Sequence, residues 1–128
     1  MNRKIAESIE SAIIMAVLLT ERKEIDLSNY KDKKFMLTKF LGDFLKCGYA
    51  GVKYHWNKVA KMSIMEYYGQ YRDRRAIYWQ RNYDLRMKEI AFKLGYCNYS
   101  ELIKQFKRRQ KINLCDCRGT NIDIIVSM

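Results

Sequence analysis

Basic side chains cluster at the end of a segment in which an apolar stripe, a glycine and a second apolar stripe follow one another. Residues 88–112 read KEIAFKLGYCNYSELIKQFKRRQKI, and Lys107, Arg108 and Arg109 end the second stripe. Their charges suit the negative end of a helix dipole and could hold phosphate. Gly95 supplies the turn, since only glycine adopts a left-handed backbone at no cost. A short helix, a turn and a basic second helix form the usual DNA-reading unit.

The composition favours a helical protein with a polyanionic partner. The 128 residues include 25 Lys and Arg against 14 Asp and Glu, which gives a formal net charge of +11. Such an excess of positive charge favours nucleic acid as the binding partner, although ribosomes and anionic membranes also attract basic proteins. Hydrophobic residues make up 48% of the chain and proline is absent, so we expect a packed, all-α fold. The length suits one domain, or two very small ones sharing a linker helix.

The cysteines do not have the spacing of a metal site. Cys115 and Cys117 supply two ligands, whereas a tetrahedral zinc site needs four. Cys47 and Cys97 fall in the turns of two different predicted units, so we expect reduced thiols, no metal and no cofactor. His55 is the only histidine, and neither a nucleophile–base constellation nor paired carboxylates accompany it. An enzyme is therefore not expected.

The location expected from the sequence is the cytoplasm. The apolar run Ala12–Leu19 is too short to span a bilayer. Glu7 and Glu10 interrupt the segment before it, and no small-residue cleavage site follows, so no secretory signal is evident.

Apolar periodicity and capping residues predict six helices. Ile5, Ile9, Ile13 and Val17 recur at i, i+4 spacing in the first one. Residues 63–66 read Ser-Ile-Met-Glu, a capping box that starts the fourth. The predicted helices cover residues 3–20, 35–46, 49–61, 63–81, 85–93 and 99–110. The tail, 113–128, contains a β-prone run at 122–126 and is assigned to no element.

The two halves of the chain can be laid over each other at about five positions. Leu41-Gly42 then matches Ile90-Ala91, and Lys46 stands where the second half has Gly95. Leu45 matches Leu94 and Trp56 matches Phe106. We assign four of these apolar residues to the core: Trp56, Phe106, Leu94 and Ile90.

A family resemblance covers roughly residues 36–112. Its residues are Ser63–Tyr67, Arg72, Ala76, Met87–Ala91, Leu94–Tyr96 and Phe106–Arg108. This order resembles the AraC/XylS family of bacterial transcription regulators, and the chain length resembles its stand-alone, MarA-like members. The resemblance implies a seven-helix, all-α domain with helix-turn-helix units at about 35–61 and 85–110, joined by a linker helix at about 63–81. Asp73 and Gln80 stand where the family usually has apolar residues, and the family's Pro-x-x-Tyr-Arg ending is missing.

The resemblance also implies which side chains face DNA. Bases would be read by Tyr49, Lys53 and Tyr54 in the first unit and by Tyr99, Ser100, Glu101, Ile103 and Lys104 in the second. Lysine can donate to guanine, glutamate can accept from cytosine, and tyrosine packs on thymine methyl groups. Gly51, also at a reading position, offers no side chain. The alternative is that these positions form solvated helix faces.

Eight basic residues are candidates for phosphate contacts: Lys58, Lys61, Arg72, Arg74, Arg75, Lys107, Arg108 and Arg109. Any of them could instead be a plain surface charge. Arg74 and Arg75 lie on the predicted linker helix, where ion pairs with Glu66 or Asp73 are the alternative.

These features predict a sequence-specific, double-stranded DNA-binding transcription regulator that activates genes. It would act as a monomer on a site of about two helical turns, with RNA polymerase as a further partner. Two alternatives remain open. One is a nucleic-acid-binding accessory protein without sequence preference, and the other is a protein-interaction module on a helix-turn-helix scaffold. Asp73, Glu101 and Gly51, which stand at otherwise DNA-facing or conventional positions, keep the second alternative open.

Overall fold

Six α-helices and one short 3-10 helix make up the described part of the chain. The computed structural model describes residues 2–24 and 33–117, with side chains for 6–24, 37–48 and 50–117. The helices are α1 (Asn2–Glu21), α2 (Lys33–Leu45), α3 (Gly48–Val59), α4 (Ile64–Asn82), α5 (Met87–Lys93) and α6 (Tyr99–Gln110), followed by the 3-10 helix Leu114–Cys117. These residues contain no strand, so the all-α prediction is confirmed for them.

The helices begin and end within two residues of the predicted bounds, and capping side chains explain two of the starts. The Ser63 hydroxyl accepts a hydrogen bond from the Glu66 N–H at 3.1 Å. Asn98 Oδ1 accepts one from the Glu101 N–H at 2.9 Å. Both bonds satisfy a backbone donor that a helix leaves open at its first turn. A seventh α-helix is not among the described elements, and the β-prone run at 122–126 lies outside them.

The first half of the protein has its own hydrophobic core. The apolar face of α1 meets α2, α3 and the start of α4 there, because its i, i+4 spacing places apolar side chains on one side. The fully buried members include Ile9, Ile13, Leu37, Leu41 and Trp56.

A second core lies between the end of α4, α5, α6 and the 3-10 helix. Ile90, Leu94 and Phe106 are at most 1% exposed, so together with Trp56 all four core assignments are confirmed. Leu114 and Cys117 are fully buried in the same cluster. The beginning of the tail, unassigned from sequence, therefore belongs to the second core.

Two elements connect the cores. α4 has 19 residues and a length of about 28 Å, and it contributes to both. The end of α1 also crosses to the second half: Glu21 pairs with Arg75 of α4, and the Lys23 ammonium contacts Phe92 of α5. The two halves are thus held by packing along α4 and by polar contacts at the end of α1.

Candidate nucleic-acid interface

Each half contains a tight turn with a left-handed residue at the same aligned position. α2 and α3 are separated by Lys46 and Cys47, and Lys46 has φ of 59°. In the second half Gly95 has φ of 80°. The two residues paired by the internal alignment therefore share a backbone conformation, although only one of them is a glycine.

α3 is anchored by one face. Val52 and Trp56 are fully buried, and the Trp56 indole N–H donates to the Met62 carbonyl at 2.8 Å. The Trp56 ring meets Tyr67 of α4 edge-on at 5.4 Å between centroids. These contacts fix the rotation of α3 and so decide which of its side chains reach solvent.

The outer face of α3 carries three of the side chains predicted to contact DNA. Lys53, Tyr54 and Lys58 are exposed, and the Lys58 ammonium lies 5.2 Å from the Tyr54 ring centroid. Lys61, beyond the end of the helix, is exposed as well. The predicted reading side chain of Tyr49 lies outside the described residues.

Gly51 is half-buried against the preceding turn. A Cβ added at this position would lie 3.3 Å from Cys47 Cβ, which is a tight contact. At this predicted reading position α3 therefore presents no side chain, and the contact with Cys47 leaves little room for one.

α6 is anchored in the same way as α3. Leu102 and Phe106 are fully buried in the second core. On the outer face Tyr99 is 50% exposed, and Ser100, Lys104 and Lys107 are exposed with it. Glu101 and Ile103 are also predicted to read bases. Both are half-buried and therefore less accessible to solvent than the side chains of the outer face.

Arg108 extends the exposed face of α6 towards α4. Its Nε donates to Gln105 Oε1 at 3.0 Å, and its Nη2 lies 3.8 Å from Glu66 Oε2. The side chain remains 55% exposed, so these contacts are weak and solvent-screened. Arg108 therefore retains the exposure that a phosphate contact requires.

Two predicted phosphate ligands on α4 are engaged inside the protein. Arg72 is 7% exposed, and its Nε and Nη2 donate to the Leu94 carbonyl at 3.1 and 2.8 Å. Its guanidinium also stacks 3.7 Å from the Tyr96 ring. Arg75 makes a two-point ion pair with Glu21 at 2.7 and 2.8 Å, and these hydrogen bonds raise its pKa.

The third inward arginine is Arg109, whose side chain is 6% exposed and pairs with Asp73. The predicted phosphate contacts of Arg72, Arg75 and Arg109 do not agree with the structure, because each guanidinium already donates hydrogen bonds to an acceptor inside the protein. The alternative pairing of Arg75 with Glu66 or Asp73 is also wrong. Of the predicted arginines, Arg74 and Arg108 are exposed.

Sequence reasoning missed the internal role of Arg109, although its spacing carried a signal. Leu102, Phe106 and Arg109 follow one another at i, i+4, i+7 and therefore share the apolar stripe of α6. Asp73 shares the buried stripe of α4 with Ala76 and Ile77 in the same way. Opposite charges on the buried stripes of two packing helices indicate an ion pair.

A cleft of about 230 Å³ separates the start of α4 from α6. Its lining includes the buried residues Tyr68, Arg72 and Tyr96, and Glu66 and Glu101 contribute carboxylates. Because acidic and basic groups are mixed in it, the cleft has no clear preference for one sign of ligand charge.

The described residues give no metal-binding group of three or more His, Cys, Asp or Glu side chains. All four cysteines lie in the described part, and none forms a disulfide. Cys117 is buried, and burial raises the pKa of its thiol. Among the helices of residues 2–24 and 33–117, none combines the length and apolar character needed to cross a bilayer.

In comparisons with known proteins, the chain matches no family model, no curated protein and no solved structure.

Proposed function

We propose that this chain is a sequence-specific, double-stranded DNA-binding transcription regulator with α3 and α6 as its reading helices. One observation carries the proposal. Each helix follows a tight turn with a left-handed residue, buries an aromatic anchor (Trp56 or Phe106), and exposes lysine and tyrosine on the opposite side. That is the arrangement a helix needs to pack on its own domain while its outer face enters a major groove.

The charges of the exposed residues support a phosphate-rich partner. Six of the predicted DNA contacts are basic side chains exposed along or just beyond the two helices: Lys53, Lys58, Lys61, Lys104, Lys107 and Arg108. Basic residues around a reading helix supply most of the affinity for DNA, because each phosphate contact releases a condensed counterion. The formal net charge of +11 acts in the same direction.

The two helices are expected to contribute unequally. α6 presents Tyr99, Ser100 and Lys104 near its start, where base edges are usually read. α3 has Gly51 against Cys47 at a reading position. We therefore assign most of the base specificity to α6 and mainly backbone affinity to α3.

The rest of the proposal follows from the family resemblance. A single chain would occupy about two helical turns of DNA, because two reading helices are joined in one domain. It would act in the bacterial cytoplasm as an activator, with RNA polymerase as a further partner and without a cofactor or enzymatic activity.

The experiment is a selection of duplexes from a random pool, followed by measurement of affinity for selected and random DNA over a range of salt concentrations. Lys104→Ala should lower the discrimination between them by about 1–3 kcal/mol, since this side chain would contact a base. Lys58→Ala and Arg108→Ala should weaken binding to both alike and reduce the salt slope by about one unit.

Each possible result decides between the proposal and its alternatives. Enrichment of a defined sequence with the expected behaviour of Lys104 supports the proposal. Tight binding without any enriched sequence would favour an accessory protein without sequence preference. Absence of DNA binding at low salt would favour a protein-interaction module.

A further inference from the structure

A buried ion pair joins α6 to α4. The Asp73 side chain is fully buried, and that of Arg109 is 6% exposed. Arg109 Nε donates to Asp73 Oδ2 at 2.7 Å, and Nη2 donates to Oδ1 at 2.9 Å. Two parallel bonds between planar groups constrain both the distance and the angle between the helices that carry them.

Further hydrogen bonds surround the pair. The Gln110 amide donates to Asp73 Oδ2 and to Gln70 Oε1, both at 2.8 Å. Arg109 Nη2 also donates to the Tyr96 hydroxyl at 3.0 Å. Burial is the largest single effect on the pKa of Arg109 and lowers it, but the hydrogen bonds and electrostatic attraction of Asp73 and Tyr96 together outweigh burial, so the pKa is raised and the guanidinium stays charged.

A glycine makes room for this guanidinium on α4. A Cβ added at Gly69 would lie 2.7 Å from Arg109 Nη1 and 2.8 Å from Cζ. Any larger residue would therefore push the Arg109 side chain away from its present position. Gly69 lies four residues before Asp73, so the carboxylate and the open surface face α6 from the same side of α4.

A buried ion pair is a poor source of stability, because desolvation of the two charges offsets their attraction. An apolar pair of similar volume would fill the space equally well, but it would leave the angle between α6 and α4 less constrained, because apolar contacts have no preferred direction. The pair therefore contributes more to the angle between α6 and α4 than to the stability of the protein. We propose that Asp73 and Arg109, seated on Gly69, are positioning residues that set the orientation of α6 on α4.

The direct test replaces the ion pair with apolar residues of similar volume, Asp73→Leu with Arg109→Met, in the full chain. Residual dipolar couplings of the backbone amides report the orientation of each helix. In the unmodified protein the couplings of α4 and α6 should fit one common alignment. In the double variant the α6 couplings should shrink relative to those of α4, while the thermal midpoint is unchanged or higher. Unchanged α6 couplings, or an unmodified protein whose two helices do not fit one alignment, would overturn the proposal.

Gly69→Ala tests the same proposal while both charges remain. It should reduce the α6 couplings in the same way, and it should also lower the thermal midpoint, because the displaced guanidinium would leave the buried Asp73 carboxylate poorly paired, a loss that the higher helix propensity of alanine offsets only in part. Glu66→Gln is the matched control, since it removes an exposed contact between the same two helices. It should leave the couplings unchanged; a loss equal to that of Gly69→Ala would contradict a special role for the buried pair.

A DNA measurement extends the inference and rests on the proposed function. Both variants should lose about tenfold in discrimination between selected and random duplexes, about the contribution of one base contact, and keep their affinity for random DNA. Equal discrimination by the variants and the unmodified protein would show that the orientation of α6 does not matter for reading. If the unmodified protein shows no discrimination, the proposed function fails, while the couplings still decide the orientation of α6.

Discussion

Replacing Gly95 with alanine tests the contact between the second turn and the end of α1. Gly95 has φ of 80°, where an L-residue costs about 1–2 kcal/mol, partly offset by about 0.4–1 kcal/mol because alanine restricts the unfolded chain. The new Cβ would lie 2.8 Å from Thr20 Cγ2. Thr20 can turn away only by giving up its hydrogen bond to the Ala16 carbonyl, which costs about 1 kcal/mol. We expect Gly95→Ala to lower the free energy of unfolding by about 2 kcal/mol, measured by urea titration.

A double-mutant cycle separates the backbone cost from the steric cost. Thr20→Ser removes the interfering methyl group and keeps the hydroxyl, so by itself it should cost about 1 kcal/mol of buried apolar contact. In the double variant, the loss of unfolding free energy should be smaller than the sum of the two single losses by about 1 kcal/mol, because the serine has no methyl group to clash with the new Cβ. Strict additivity of the two changes would refute the contact between the turn and α1.

Lys46 provides the control for the backbone part of this argument. It has φ of 59° at the equivalent position of the first half and is exposed. Lys46→Gly should therefore stabilise the protein by about 0.5–1 kcal/mol. A loss of stability would mean that the lysine side chain makes a contribution larger than its backbone strain.

Two further predictions concern a helix start and a thiol. Ser63→Ala should lower the free energy of unfolding by about 1 kcal/mol, since the Glu66 N–H loses its acceptor; an unchanged urea midpoint would contradict this. In a titration of native protein with an aromatic disulfide at pH 8, Cys117 should react slowly and speed up as the pH rises, because burial shields its sulfur and raises its pKa. The three exposed thiols, Cys47, Cys97 and Cys115, should react in a fast phase. A single fast phase of all four thiols would contradict the burial of Cys117.

The elements of the fold were predictable because their signals are local. Ser63 and Asn98 each act on a backbone N–H three residues away, so a short stretch of sequence contains the whole interaction. The core positions were predictable for a related reason, since i, i+4 spacing in α1 places Ile9, Ile13 and Val17 on one face.

The polar interior was not predicted because its partners are far apart in the chain. Asp73 and Arg109 are 36 residues apart, and Arg75 and Glu21 are 54 apart. A run such as Lys107-Arg108-Arg109 looks uniformly basic in sequence, yet successive helix positions point about 100° apart, so adjacent charges face solvent and core. An aspartate on the buried stripe of α4 marked the place where such a partner was required.

The contacts at the end of α1 also affect the order in which the protein folds during synthesis. Glu21 and Lys23 leave the ribosome 54 and 69 residues before their partners Arg75 and Phe92. At about 5–20 residues per second, that interval lasts roughly 3 to 14 seconds. The apolar face of α1 waits less long, because α2, α3 and the start of α4, which cover it, all precede Arg75 in the chain. The contacts of α1 that wait longest are therefore polar or charged ones, so their delay leaves little of its apolar surface open to aggregation.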